Sequence, residues 1–311
     1  MRHPAYHLRP NKAIERAAFV EGINLLTRLA KLSEYTYFGF GGPYLEDFRL
    51  LYELTPELKM ISIEENAETC KRQAFHLPCG ALQLRQIEFS SFLAQYEAND
   101  EKSIFWLDYT GLAYSHFEDL MVLLGKVAAN SMIKVTLRAE PRDFKDAPDE
   151  FRRKFETLMP DPSASPPSAS EDLAHLIQGM VQIASQRALP SALSHAFQPV
   201  SSFYYSDGTG MFTLTGVVCR REDQDRVRNV FRHHRFANLD WARPTKIDVP
   251  TLSTKERLHL QHMLPLGSGA GRVLRRELGY LIDENASKTE KKLQQYADFH
   301  RYFPYFMKAV P

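Results

Sequence analysis

Residues 35–66 read YTYFGFGGPYLEDFRLLYELTPELKMISIEEN, and the fold turns on how this stretch is punctuated. An aromatic and β-branched run over 35–40 suits a strand and stops at glycines. Gly39, Gly41 and Gly42 form a tight turn. Pro43 suits the first position of a helix, and 44–54 carries apolar residues at helical spacing. A second strand is expected over 59–63, ending in Glu64 and Glu65. The unit is a strand, a glycine turn, a helix, a strand and an acid. Glycines there let the backbone come close to a ligand at the helix N-terminus. The acid at the second strand's tip is placed to accept hydrogen bonds from a ribose diol.

Helices and strands then alternate. A helix is expected over 66–75, a strand over 81–84 and another helix within 87–96, with Glu88 just after the strand. Ser103 opens SIFWL (103–107), a continuous apolar run that fits a strand buried on both faces, followed by Asp108, Tyr109, Thr110 and Gly111. Ligands of open α/β sheets sit beyond the carboxyl ends of the strands, so topology puts Asp108 at the site edge. A helix over 116–129 and a strand over 131–137 complete five alternations, which argue a doubly wound parallel sheet. Two β-rich runs, 200–205 and 211–219, flank Asp207-Gly208, a hairpin signal. An antiparallel hairpin therefore closes an otherwise parallel sheet.

The glycine loop FGFGG (38–42) and the acidic tip SIE (62–64) resemble the cofactor site of the class I S-adenosylmethionine-dependent methyltransferases. The resemblance, with the terminal hairpin, covers roughly residues 10–220. It implies that Gly39, Gly41 and Gly42 pass under the methionine part of the cofactor and that Glu64 holds the ribose hydroxyls. It implies Glu88 against the adenine amine, and Lys12 or Arg9, at the start of a helix over 11–32 capped by Asn11, against the cofactor carboxylate. For the chemistry it points to Asp108, to accept a proton or orient a nucleophile, and to Tyr109, to position a planar substrate. Methyltransferases acting on base amines carry Asn or Asp, two prolines and an aromatic residue here. DYTG (108–111) keeps the acid without the prolines, which opens the acceptor to an oxygen on a small molecule or a protein as well as to RNA or DNA. A nicotinamide site fits less well, since Tyr44 and Leu45 stand where a third glycine belongs.

The remainder bounds the function. The chain has 311 residues, 44% hydrophobic and 25% charged, with a net charge of +1, so no global charge argues for nucleic acid. Cys70, Cys79 and Cys219 are too few and too scattered for a disulfide framework, and no run approaches ~18 apolar residues, so a cytoplasmic protein off the membrane is expected. There is no P-loop, no C-x-x-C, no H-E-x-x-H and no G-x-S-x-G, and no metal is expected. Residues 142–195 read as an insertion around a Pro- and Ser-rich linker (160–170). The run 226–235 is basic, and 253–256 is a capping box that opens a helix. The expected organisation is a methyltransferase-like Rossmann domain over 1–239 and a helical appendage over 240–311, whose aromatic tail holds Phe299, Tyr302, Phe303, Tyr305 and Phe306. The expected function is methyl transfer from S-adenosylmethionine to an unidentified acceptor. The alternative is a silent methyltransferase-fold subunit of a complex, with a partner on 142–195 or on the C-terminal helices.

Overall fold

A computed structural model describes residues 9–304, so Tyr305 and Phe306 lie outside the described residues. The chain divides into two compact units, one of Phe19–Tyr204 and Thr209–Thr245, the other of Met1–Ala18, Tyr205–Gly208 and Lys246–Pro311. The described residues up to Ala18 and the hairpin tip group with the C-terminal helices.

The elements run α1 (Pro10–Leu26), β1 (Tyr35–Gly39), α2 (Glu46–Leu54), β2 (Lys59–Glu64), α3 (Ala67–Phe75), β3 (Gln83–Gln86), α4 (Phe89–Gln95), β4 (Lys102–Asp108), α5 (Tyr114–Lys126) and β5 (Met132–Arg138). After them come α6 (Pro148–Phe155), α7 (Ser170–Ala188), β6 (His195–Ser206), β7 (Gly210–Arg220), α8 (Gln224–Phe231) and β8 (Thr245–Ile247). The strands are ordered β3-β2-β1-β4-β5-β7-β6-β8. The first five are parallel, and β7 enters antiparallel between β5 and β6, with Met132 opposite Val217 and Arg138 opposite Met211.

Alternation along the strands sorts the core into two faces. Phe38, Ile63, Phe105, Leu107, Ile133 and Val135 pack under α4, α5 and α7 on one side. Tyr35, Tyr37, Met60, Ile104, Trp106 and Met132 pack on the other with Phe48 and Leu51 of α2 and Val227 and Phe231 of α8. β4 is buried from Ser103 to Leu107, as its apolar run requires.

Three expectations need correcting. Helix α2 begins at Glu46, three residues past Pro43, because Leu45 takes a left-handed conformation (φ 51°) that ends the turn. Asn11 lies inside α1 and caps nothing. Its amide donates to the Ser206 carbonyl and Asp207, and its oxygen accepts the Val249 N–H, so it ties segments of the smaller unit together. Of the stretch read as an insertion, α7 is the crossover helix between β5 and β6. Leu173, Ile177, Met180, Val181 and Ala184 are fully buried, and α7 packs on α5 and β7.

In the smaller unit α9 (Thr254–Gln261), α10 (Ala270–Leu278) and α11 (Ala286–Phe299) follow. The capping box forms as its sequence dictates: Ser253 accepts the Glu256 N–H, and Glu256 accepts the Ser253 N–H at 2.6 Å. α10 and α11 touch backbone to backbone at Gly271, where a Cβ would stand 1.9 Å from the Glu290 carbonyl oxygen. Gly271→Ala should therefore lower the unfolding free energy by roughly 1–3 kcal/mol, read in a denaturant titration of the intact chain.

Candidate active site

The carboxyl ends of β1, β2 and β4 meet around the glycine turn. Gly39 pairs with Ser62 on one side and Trp106 on the other, so Glu64 and Asp108 each lie two residues above its level. Both therefore project to the sheet face that Ser62 and Trp106 share. With β1 between their strands, the two are separated by about 10 Å across the sheet. Both are half-buried.

The turn owes its shape to three backbone constraints. Gly41 and Gly42 have φ of +68° and +52°, values that cost little only without a Cβ. A Cβ on Gly39 would stand 2.8 Å from the Tyr37 hydroxyl, which donates to Asp47 at 2.6 Å. A Cβ on Gly41 would meet Leu45 and Phe48. Gly42 differs: nothing comes within 4 Å of the place a Cβ would take, so the outer side of the turn is open to an approaching ligand. Gln73, fully buried on α3, donates to the carbonyls of both Phe40 and Gly42 at 2.9 Å and accepts from Ser62 at 3.0 Å. Sequence reading passed over Gln73 because a glutamine in a short polar helix looks solvated.

Glu64 is held at the tip of β2 by the Asn66 N–H at 2.8 Å, and burial with neighbouring Glu65 raises its pKa. Glu88 precedes α4 and is exposed, with no side-chain cap bond. Lys12 is in the smaller unit; its N–H donates to Asp207 and it is 7% exposed.

Tyr109 departs from its expected use as an open platform. It points to the opposite face from Asp108, its ring stacks on His116 at 3.9 Å between centroids, and its hydroxyl donates to Asp119 at 2.7 Å. Phe40, carried on the glycine turn, packs edge-on against it at 5.4 Å. Burial, with Asp119 beside it, pushes the phenol pKa up, so it stays neutral. Burial lowers His116 to about 4, helped by Lys154. Burial raises Asp119, against the Tyr109 bond, and Glu118 and Glu88 add to the rise. His116 Nδ1 accepts the Ala113 N–H, so the neutral ring carries its proton on Nε2 and offers no base there. His116 and Asp119 escaped the sequence reading; their three-residue spacing on one helix was the available signal.

A surface cleft of about 180 Å³ lined by Ser185, Leu189, Phe197, Arg221 and Trp241 lies at the amino end of β5, away from this turn. Among the described residues no cluster of three or more His, Cys, Asp or Glu could hold a metal ion, and no helix is long and apolar enough to cross a membrane.

The strand order and the glycine turn with its spaced acid define the class I methyltransferase form of the Rossmann fold. Residues 4–311 match the model of a family described as "Putative O-methyltransferase", and the chain belongs to that family. Similar solved structures include Trm1 from Pyrococcus horikoshii with S-adenosyl-L-methionine, 11% identical over 68% of this chain and 56% of that one, at a TM-score of 0.48. TYW2 from the same organism in complex with MeSAdo is 11% identical over 62% of this chain and 60% of that one, at 0.36. The 16S rRNA (adenine(1408)-N(1))-methyltransferase from Catenulisporales acidiphilia is 11% identical over 64% of this chain and 93% of that one, at 0.39. This chain thus spans little more than half the length of the first. No curated protein matches the sequence.

Gln73 is the residue whose loss the turn should feel most. Gln73→Ala leaves the Phe40 and Gly42 carbonyls without their buried donor and is expected to destabilise the protein by about 1–3 kcal/mol. Denaturant unfolding of the variant measures it.

Proposed function

We propose that the protein is an S-adenosylmethionine-dependent methyltransferase acting on an oxygen acceptor. One observation carries the reading: an open glycine turn, Gly42 outward, stands beside a strand-tip carboxylate, Glu64, in a chain whose family is one of O-methyltransferases. S-Adenosylmethionine supplies a methyl group already activated on a sulfonium. The residues here fit it: Gly39, Gly41 and Gly42 give a backbone surface without side chains, and Glu64 offers two acceptor oxygens to a diol. Glu88, exposed before α4, is assigned to the adenine edge.

The protein's part in transfer is alignment and handling of the acceptor's proton. Asp108 stands level with Glu64 across the turn and is assigned to orient the acceptor; Tyr109 borders the same turn through Phe40. Cys70, Cys79 and Cys219 are free thiols, which supports reducing, cytoplasmic surroundings. Part of the basic run 226–235 is engaged within the fold. Arg228 is committed to Asp240 and the Leu239 carbonyl, and His234 is buried.

Isothermal titration with S-adenosylmethionine and with S-adenosylhomocysteine tests the cofactor. Both should bind, and no heat from either sinks the reading. Glu64→Ala should weaken both by roughly 10- to 100-fold, the worth of hydrogen bonds to a charged group.

The same grip sets a pH dependence. Glu64 accepts two hydrogen bonds only as the carboxylate, and its pKa is raised above the ordinary value. Affinity should therefore hold at neutral pH and fall as pH drops through that raised value. Glu64→Gln should bind about tenfold more weakly at pH 7 and lose the acid-side fall. An unchanged pH profile in Glu64→Gln would assign the proton to another group.

A further inference from the structure

Tyr109, His116 and Asp119 form a connected polar set inside an otherwise aromatic wall. Phe40 meets Tyr109 at 5.4 Å and Phe89 at 5.2 Å, so the wall is continuous with the glycine turn itself. Within it the Tyr109 hydroxyl donates its proton to Asp119, which leaves lone pairs on its oxygen able to accept a further hydrogen bond. His116, stacked 10° from parallel on the Tyr109 ring, fixes where that oxygen stands. The bland account of the set is an anchor joining the end of β4 to the first turns of α5. Two observations ask for more. Asp119 is half-buried with carboxylates, Glu88 and Glu118, as its charged neighbours, an arrangement that weakens a purely structural ionised anchor. The imidazole beside it is barred from acting as a base by the Ala113 N–H, so any proton leaving this wall must travel through the phenol.

Building on the methyltransferase reading, we propose that the acceptor is a phenolic hydroxyl and that Tyr109 and Asp119 relay its proton away as the methyl group is transferred. The acceptor oxygen attacks the methyl carbon. A C–O bond forms, the C–S bond breaks, and its electron pair leaves with sulfur, turning the sulfonium into a neutral thioether. The acceptor's O–H proton passes to the Tyr109 oxygen, and the Tyr109 proton passes to Asp119, which later loses it to solvent. Acid strength selects the class. A phenol, with a pKa of about 10, needs only a weak base of this kind, whereas an alkyl hydroxyl is close to water in acidity and needs a far stronger one. An aryl ring also matches the aromatic side chains that border the turn, Phe40 and Phe89 among them. Asp119 touches the substrate only through Tyr109 and is a positioning and proton-accepting partner of that residue.

The relay predicts a pH signature. The charged or titratable groups facing Asp119 and its partners are Glu88 before α4, Glu118 and His116 on α5, and Lys154 on α6. Asp119 must be ionised to take a proton, so the rate rises as pH climbs through its raised pKa and then levels.

The test uses catechol and 4-nitrophenol as acceptors, S-adenosylhomocysteine calorimetry, and NMR titration of the full chain with 13C-labelled aspartate carboxyls. Asp119→Asn identifies the Asp119 signal by its loss. The expected result is that Asp119→Asn and Tyr109→Phe bind S-adenosylhomocysteine within about twofold of the parent while kcat falls about 100-fold. The midpoint of the parent's pH–rate curve should coincide with the Asp119 NMR titration and vanish in Asp119→Asn. A variant that keeps the parent's rate and pH profile, with only a lower Tm, overturns the relay. S-Adenosylhomocysteine binding without methylation of either phenol overturns the acceptor class and leaves the cofactor reading standing. No binding at all brings down the cofactor reading, and the relay with it.

Discussion

The double hydrogen bond from one buried amide holds the whole arrangement in place. Gln73 reaches from α3 to the carbonyls of Phe40 and Gly42, at 2.9 Å each, and its own oxygen is satisfied by Ser62. Two carbonyls turned inward mean that the opposite side of the turn is left for something else. The positive φ angles of Gly41 and Gly42 make that geometry cheap, and the crowding of Gly39 and Gly41 by Tyr37, Leu45 and Phe48 locks it. A buried amide with every hydrogen-bonding group used is a rigid support, since loosening it exposes several unsatisfied partners at once.

Strand alternation then divides labour at the sheet tip. Glu64 and Asp108 project to one face, level with each other on either side of β1. Tyr109, one residue on, projects to the other, where α5 supplies His116 and Asp119. Phe40 sits in the turn yet belongs to the second face, and it is the physical link between the two. A polar, acid-flanked face suits a diol and a cationic donor. An aromatic face with one shared proton suits a planar hydroxyl acceptor. The low polarity of the second face explains three pKa shifts together: the phenol and the Asp119 carboxyl move up and the imidazole down, each toward its neutral form.

Much of this was legible in the residues. Continuous apolar runs identified β4 and β5, the glycines located the turn, and Asp207-Gly208 located the hairpin, which became longer than expected because β6 and β7 pair beyond their apolar centres. What escaped was decided at a distance. Pro43 favours a helix start, but the left-handed Leu45 defers it to Glu46, a choice set by packing of Leu45 and Phe48 against Gly41. Asn11 has the chemistry of a cap and is used for long-range bonds to Ser206, Asp207 and Val249 instead. The segment 142–195 read as an addition around its Pro- and Ser-rich linker, yet the apolar stripe of α7 within it is core. At the site, the places of Glu64 and Asp108 at strand ends follow from the residues around them, while Gln73, His116 and Asp119 depend on which helix packs where.

The account stands on an adenosyl group lying across the turn at Gly39, Gly41 and Gly42 with its ribose on Glu64. A crystal structure with S-adenosylhomocysteine bound tests this most directly. Both ribose hydroxyls are expected within hydrogen-bonding distance of Glu64, with the amino-acid part beside Gly42. Ligand found at the α7–β6 cleft, or ribose hydroxyls held by groups other than Glu64, would contradict it.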